Sequence, residues 1–116
     1  GKTALLLMEE AARIGAAGLG AAFSKVLQHE PIANTLIVRA GVGWRLGVIG
    51  HAWLPPGPSS PAGYAFASGQ STMSNDLAAD HRFGVPPLLS DHGVRREVNV
   101  VIRGDGPTFG VLEVDD

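Results

Sequence analysis

The sequence predicts an α+β domain of about six antiparallel strands with helices to the sides. Three observations carry this. The last third alternates, with Val98, Val100 and Ile102 interleaved with Glu97, Asn99, Val101 and Arg103, before Gly104-Asp105-Gly106-Pro107 turns the chain into Thr108 to Val114. That pattern reads as a hairpin with one face in a core. The N-terminal segment is apolar at helical spacing and stops at glycines. Between these ends, short strand-like runs are punctuated by many of the 16 glycines and 8 prolines, as expected of a loop-rich sheet protein.

Composition bounds the function. With 116 residues, 45% of them hydrophobic, the chain reads as one globular domain spanning residues 1–116. A net charge of -2, a pI near 6.1 and a single tight basic run, Arg95-Arg96, give no basic field, so nucleic acid is not an expected partner. No apolar run approaches the roughly 20 residues of a membrane span. Ala4 to Met8 is too short for a signal peptide and is followed at once by Glu9-Glu10, so a cytoplasmic protein is expected. The absence of cysteine excludes disulfides, thiolate zinc sites and a cysteine nucleophile.

Taken in order, Thr3 is placed to cap a first helix ending near Gly15 or Gly18, with Glu9 and Arg13 as an i,i+4 pair. Leu5, Met8 and Ala12 form one apolar stripe of this helix and Leu7, Ala11 and Ile14 another. Either one wide apolar face packs on the sheet, or the sheet buries only part of that surface and a second helix from another chain covers the rest, which makes a homodimer. Residues 22–29 and 35–40 read as paired strands joined by Glu30 to Asn34, and Ala52-Trp53-Leu54 as a further extended run. Val85 to His92 forms a short helix with Pro86-Pro87 in its first turn and Gly93 at its end.

The stretch from Ser59 to Phe83 is the expected working surface. It holds a helix start at Ser60-Pro61, aromatic Tyr64 and Phe66, a helix-ending Gly69, a short β-prone run from Ser71 to Ser74, and a polar crossing from Asn75 to Arg82. A short helix and a polar loop over a sheet make either the usual lid of a concave small-molecule site or a cover that only closes the core. Tyr64, Phe66, Asp76, Arg82 and Phe83 are expected to line one cavity against Val98 and Val100, with Asp76 and Arg82 supplying its polarity or pairing with each other.

Other chemistries lack their signatures. His29, His51, His81 and His92 show no metal-ligand spacing, so no metal is expected. Asp80-His81 and Asp91-His92 read as exposed loop residues, because sequence neighbours point apart. Ser59, Ser60 and Ser68 lack a nucleophile elbow, Gly57-Pro58-Ser59-Ser60 lacks the Walker lysine, and no helix opens after Gly41-Val42-Gly43. No catalytic residue is assigned. The helix start at Ser60 to Gly63 leaves a weak anion site open.

Together, LIVRAGVGWRLGVIG, the S-x-A-G-Y-A-x-x-S-G run from Ser60 to Gly69, SNDLAADHRF, and HGVRREVNVVIRGDGPTFGVLEV resemble a GAF domain of the kind found in bacterial sensor histidine kinases. The resemblance covers about Leu5 to Val114. It implies a profilin-like six-stranded antiparallel sheet with the terminal helix on one face and the ligand-side loops and short helices on the other. It also implies a cytoplasmic, often dimeric regulatory module upstream of a kinase, cyclase or transcription output, with the histidine kinase of a two-component system preferred; the module is expected to be no enzyme and to bind an unidentified small ligand or relay a signal through dimerisation. A dimerisation spacer with a filled core is the alternative, and a cofactor-dependent enzyme on this fold a weaker one. Departures narrow the choice. No cysteine is present for bilin attachment or for free methionine sulfoxide reductase chemistry, Asp76-Leu77-Ala78 is not the bilin-type Asp-Ile-Pro motif, and no cyclic-nucleotide signature appears. His51 and His81 are the histidines open to a haem reading, which nothing in the sequence fixes; no cofactor is expected. Members usually carry a long helix after the last strand, which this sequence, ending at Asp115-Asp116, is expected to lack.

Overall fold

The computed structural model describes residues 1–116. Helix α1 runs Lys2–Leu19 and ends at Gly20, whose left-handed φ of 62° turns its amide back onto Ala16 and Ala17. It begins before Thr3, so Thr3 lies in the first turn and Gly1 supplies the cap position. Arg13 pairs with Glu10, three residues back, rather than with Glu9. Met8, Ala12 and Ala16 face the sheet. Small residues there let the helix lie close: a Cβ on Gly15 would sit 3.1 Å from Val114 Cγ2, and Ser24 Oγ donates to the Ala12 carbonyl at 2.5 Å.

The strands are β1 (Phe23–Glu30), β2 (Thr35–Val42), β3 (Trp53–Leu54), β4 (Thr72–Ser74), β5 (Glu97–Ile102) and β6 (Gly110–Asp115). They form one antiparallel sheet in the order β3-β2-β1-β6-β5-β4. Between β3 and β4 lies α2 (Pro61–Ser68); Ser60 Oγ accepts from Gly63 N at 2.9 Å and Gly69 closes it at φ 71°, the two caps the sequence predicts. Before β5 come a 3-10 turn (Leu77–Ala79) and α3 (Pro87–Ser90), shorter than the predicted 85–92. No helix is long and apolar enough to cross a membrane.

Both sheet faces are covered. Against α1, Met8, Ala12, Val26 and Ala40 form one core; against α2, Leu27, Leu36, Val38, Leu54, Ala62 and Val111 form another. A bulge makes this possible: β1 pairs Val26 with Ala40 but Leu27 with Val38, so Arg39 is the extra residue and Val38 and Ala40 serve opposite faces.

The predicted facing of β5 is corrected. Glu97 and Asn99 are buried, whereas Val100 is 45% exposed. Val98 pairs with Val114 and Val100 with Leu112, and those partners lie under Gly15, so Val98 and Val100 belong to the α1 face. Apolar alternation identifies the strand but cannot orient it when both faces are covered.

Candidate functional site

On the loop side of the sheet, strand pairing stacks polar side chains in two adjacent rows. One row reads Lys25, Glu113, Asn99 and Thr72 across β1, β6, β5 and β4; the next reads Phe23, Asp115, Glu97 and Ser74. Alternation along each strand puts both rows on one face. Lys25, Glu97, Asn99, Glu113 and Asp115 are each no more than 2% exposed.

Hydrogen bonds tie the rows together. The Lys25 ammonium donates to Glu113 Oε1 and, at 3.0 Å, to Asp115 Oδ2. Thr72 Oγ1 and Asn99 Nδ2 each donate to Glu97 Oε1 at 2.6 Å, and Asn99 Nδ2 also donates to Glu113 Oε2 at 2.8 Å. Glu97 Oε2, Asn99 Oδ1 and Asp115 Oδ1 are left without a protein partner. Burial, which alone would push the Lys25 ammonium down, is outweighed by Glu113 and Asp115, and its pKa rises. Burial pushes the Glu97 carboxyl up despite the Thr72 and Asn99 hydrogen bonds. The Asp115 carboxyl stands well above its ordinary value, through burial and then the neighbouring Glu113 charge, with Lys25 opposing.

An aromatic roof covers Lys25. Its Nζ lies 4.3 Å from the centroid of the Trp44 ring, and Trp44 Nε1 donates to the Ser24 carbonyl at 2.7 Å. The Phe23 ring packs against Trp44 at 4.9 Å, and His92 meets Trp44 edge-on at 4.8 Å. His92 is half-buried rather than exposed, because both its nitrogens are engaged. Nδ1 donates to the Leu88 carbonyl at 2.9 Å, so Nε2 accepts the Arg45 amide at 3.0 Å, which fixes the neutral tautomer. No three His, Asp or Glu side chains are arranged to hold a metal ion.

The predicted cavity residues do not assemble as one group. Tyr64, Arg82 and Phe83 do meet: the Tyr64 and Phe83 rings are 5.6 Å apart, and the Arg82 guanidinium lies 5.0 Å from the Phe83 ring centre. Phe66, two residues beyond Tyr64 on α2, packs instead on His29 at 4.6 Å and on the Leu27 core. Asp76 is exposed and its carboxylate makes no hydrogen bond to the 3-10 turn it precedes. Arg82 pairs with Asp80, at 2.7 Å, not with Asp76, and Arg82 Nη2 also donates to the Met73 carbonyl. The two-residue spacing lets the Asp80 carboxylate take the Arg82 backbone amide as well, a closure that Asp76 cannot make. Val98 and Val100 lie across the sheet; Val98 lines a recess of about 200 Å³ with Leu19 and Met73 beside the end of α1.

The residues missed by sequence reasoning are the ladder itself. A signal was present within β5 and β6: Glu97 and Asn99 alternate with Val98 and Val100, and Glu113 and Asp115 alternate with Leu112 and Val114.

No family model and no curated protein sequence matches the chain. Solved structures do. The GAF domain of a phosphoenolpyruvate-protein phosphotransferase from Coxiella burnetii superposes with a TM-score of 0.84 at 13% identity, over 97% of this chain and 66% of that one. The free methionine-R-sulfoxide reductase from Neisseria meningitidis, solved with its substrate, gives 0.79 at 20% identity over 97% and 62%. A fragment of a methyl-accepting chemotaxis protein gives 0.78 at 20% identity over 96% and 71%. The chain thus spans less than two thirds of the first two solved chains. The superpositions cover nearly all of this chain, its six-stranded sheet and α1 included, and the chain has the GAF-domain fold.

Proposed function

We propose that this chain is a regulatory GAF-type module of a signal-transduction protein, with a sensor histidine kinase as the output and no catalysis of its own. The observation that carries this reading is the buried ladder. Removing ions from water costs several kcal/mol each, and apolar replacements of buried ion pairs are often neutral or stabilising. Three carboxylates and a lysine under a lid are therefore poorly explained by folding alone. Catalysis finds no support: Ser24 Oγ is spent on the Ala12 carbonyl, and both His92 nitrogens are occupied. The closed aromatic roof favours the second reading, a spacer with a filled core.

The relay we assign to the module is a homodimer through α1. Leu6, Leu7, Ile14 and Leu19 are 58%, 68%, 55% and 63% exposed on its outer side. That surface is continuous with an apolar groove of about 350 Å³ between α1 and the β5–β6 hairpin, where Leu7, Ile102 and Phe109 lie.

Replacing the ammonium together with both carboxylates it holds, Lys25→Met with Glu113→Leu and Asp115→Asn, tests the regulatory role in the full-length protein without leaving either carboxylate facing a missing cation. The expected result is a folded protein whose autophosphorylation is changed several-fold or no longer responds to signal. Unchanged output and response would establish the spacer.

A further inference from the structure

We infer that the buried ladder is a binding site for a primary ammonium group and that Lys25 is its resident, tethered ligand. This rests on the regulatory reading above and names the occupant of that site.

The surroundings of Nζ are those that recognise an alkylammonium: carboxylate oxygens of Glu113 and Asp115, the latter at 3.0 Å, and the face of Trp44 4.3 Å away. The acceptors exceed what Lys25 uses. A lysine ammonium offers three N–H groups, two of which are taken by carboxylates here. Glu97 stands beside them as a third carboxylate, and Glu97 Oε2, Asn99 Oδ1 and Asp115 Oδ1 remain unpartnered on side chains at least 98% buried. A lysine that only joined β1 to β6 would need one carboxylate opposite it, and Glu113 already holds that register. The remaining acceptors describe a socket for a cationic N–H donor. The raised Lys25 pKa agrees with an ammonium rather than an amine in the socket.

Tethering explains why the socket is closed. A linked group acts at an effective concentration in the millimolar range or above, so free amines compete poorly with Lys25. Cutting the tether exposes the site to them.

Lys25→Ala removes Cγ, Cδ, Cε and Nζ, the heavy atoms of n-propylammonium. The purified variant is expected to melt below the wild type, and saturating n-propylammonium to raise its Tm by about 4 °C or more. 1-Propanol and sodium chloride at matched ionic strength should not. The wild type and Lys25→Met, whose socket is filled, should respond to none of them. No rise in a folded Lys25→Ala protein, or an equal rise with 1-propanol, overturns the inference. Should Lys25→Ala not fold, ¹⁵N-lysine NMR of the wild type decides, since Lys2 is the only other lysine and is exposed. One exchange-protected NH₃⁺ resonance persisting at pH 8 supports the inference, whereas a neutral amine or a solvent-averaged signal overturns it. Amine rescue with unchanged kinase output removes only the regulatory reading; changed output without rescue removes only the ammonium site.

Discussion

Asp76 and Asp80 stand on the crossing between β4 and α3. Asp80 receives the Arg82 side chain at 2.7 and 3.0 Å and the Arg82 amide at 3.1 Å, while Arg82 also ties back to β4 through the Met73 carbonyl. These hydrogen bonds, the Arg82 side chain first, hold the Asp80 carboxyl far below its ordinary range, with Ser74 contributing. A depressed folded pKa means that the associated stability is present above the unfolded value, about 3.9, and is lost as pH falls through the folded one. The expected outcome is that Asp80→Asn speeds hydrogen exchange over residues 72–83 at pH 7 and that Asp76→Ala leaves exchange and Tm unchanged. Equal effects at the two sites would refute the assignment of the lid tether to Asp80.

At the scale of elements, what is legible in the sequence is what depends on local chemistry. Helix α2 is readable because Ser60, Pro61 and Gly69 each do a job set by backbone geometry. The β5–β6 hairpin is readable from alternation and α1 from its apolar spacing, but α1 runs through the predicted stops at Gly15 and Gly18 to Gly20, the glycine that takes the left-handed conformation. Facing is not readable. Glu97 and Asn99 look like the wet side of β5, yet they are inside because Thr72, Glu113 and Lys25 arrive from β4, β6 and β1, strands far apart in sequence. The length of α3 also eludes the pattern, because Pro86 and Pro87 allow a helix to start but say nothing about how soon Asp91 to Gly93 turn it away.

The outer side of α1 carries a prediction at this same scale. Its buried stripe is narrow, Met8, Ala12 and Ala16, and leaves Leu7 pointing outward. If the proposed dimer forms there, Leu7→Glu in each copy sets a charge against apolar surface on both sides of a symmetric contact. Sedimentation or light scattering should show a wild-type dimer and a folded Leu7→Glu monomer. A wild type that stays monomeric at high protein concentration, or a Leu7→Glu protein that remains dimeric, would place the interface elsewhere or remove it.

Across the whole molecule, the two sheet faces are built on different physics. The α1 face is small and apolar, so its stability should change little with pH. The loop face concentrates three carboxylates and one ammonium where water does not reach, so its stability should follow their protonation. Glu97 and Asp115 have folded pKa values above their unfolded ones, chiefly because burial disfavours the charged form. The folded state therefore binds their protons more tightly. Stability from this source is complete below the unfolded carboxylate pKa, about 4, and declines as pH rises through the folded values, opposite in sign to Asp80. Each tenfold difference in proton affinity between the states amounts to about 1.4 kcal/mol. Glu97→Gln keeps an acceptor for Thr72 and Asn99 while removing the ionisation. The variant should melt above the wild type at pH 8, with the difference shrinking as pH falls and wild-type Glu97 takes up its proton. Melting curves over a falling pH series measure it directly. A variant that melts below the wild type throughout would mean that Glu97 works as an anion, and that its charge answers a cation beyond Lys25.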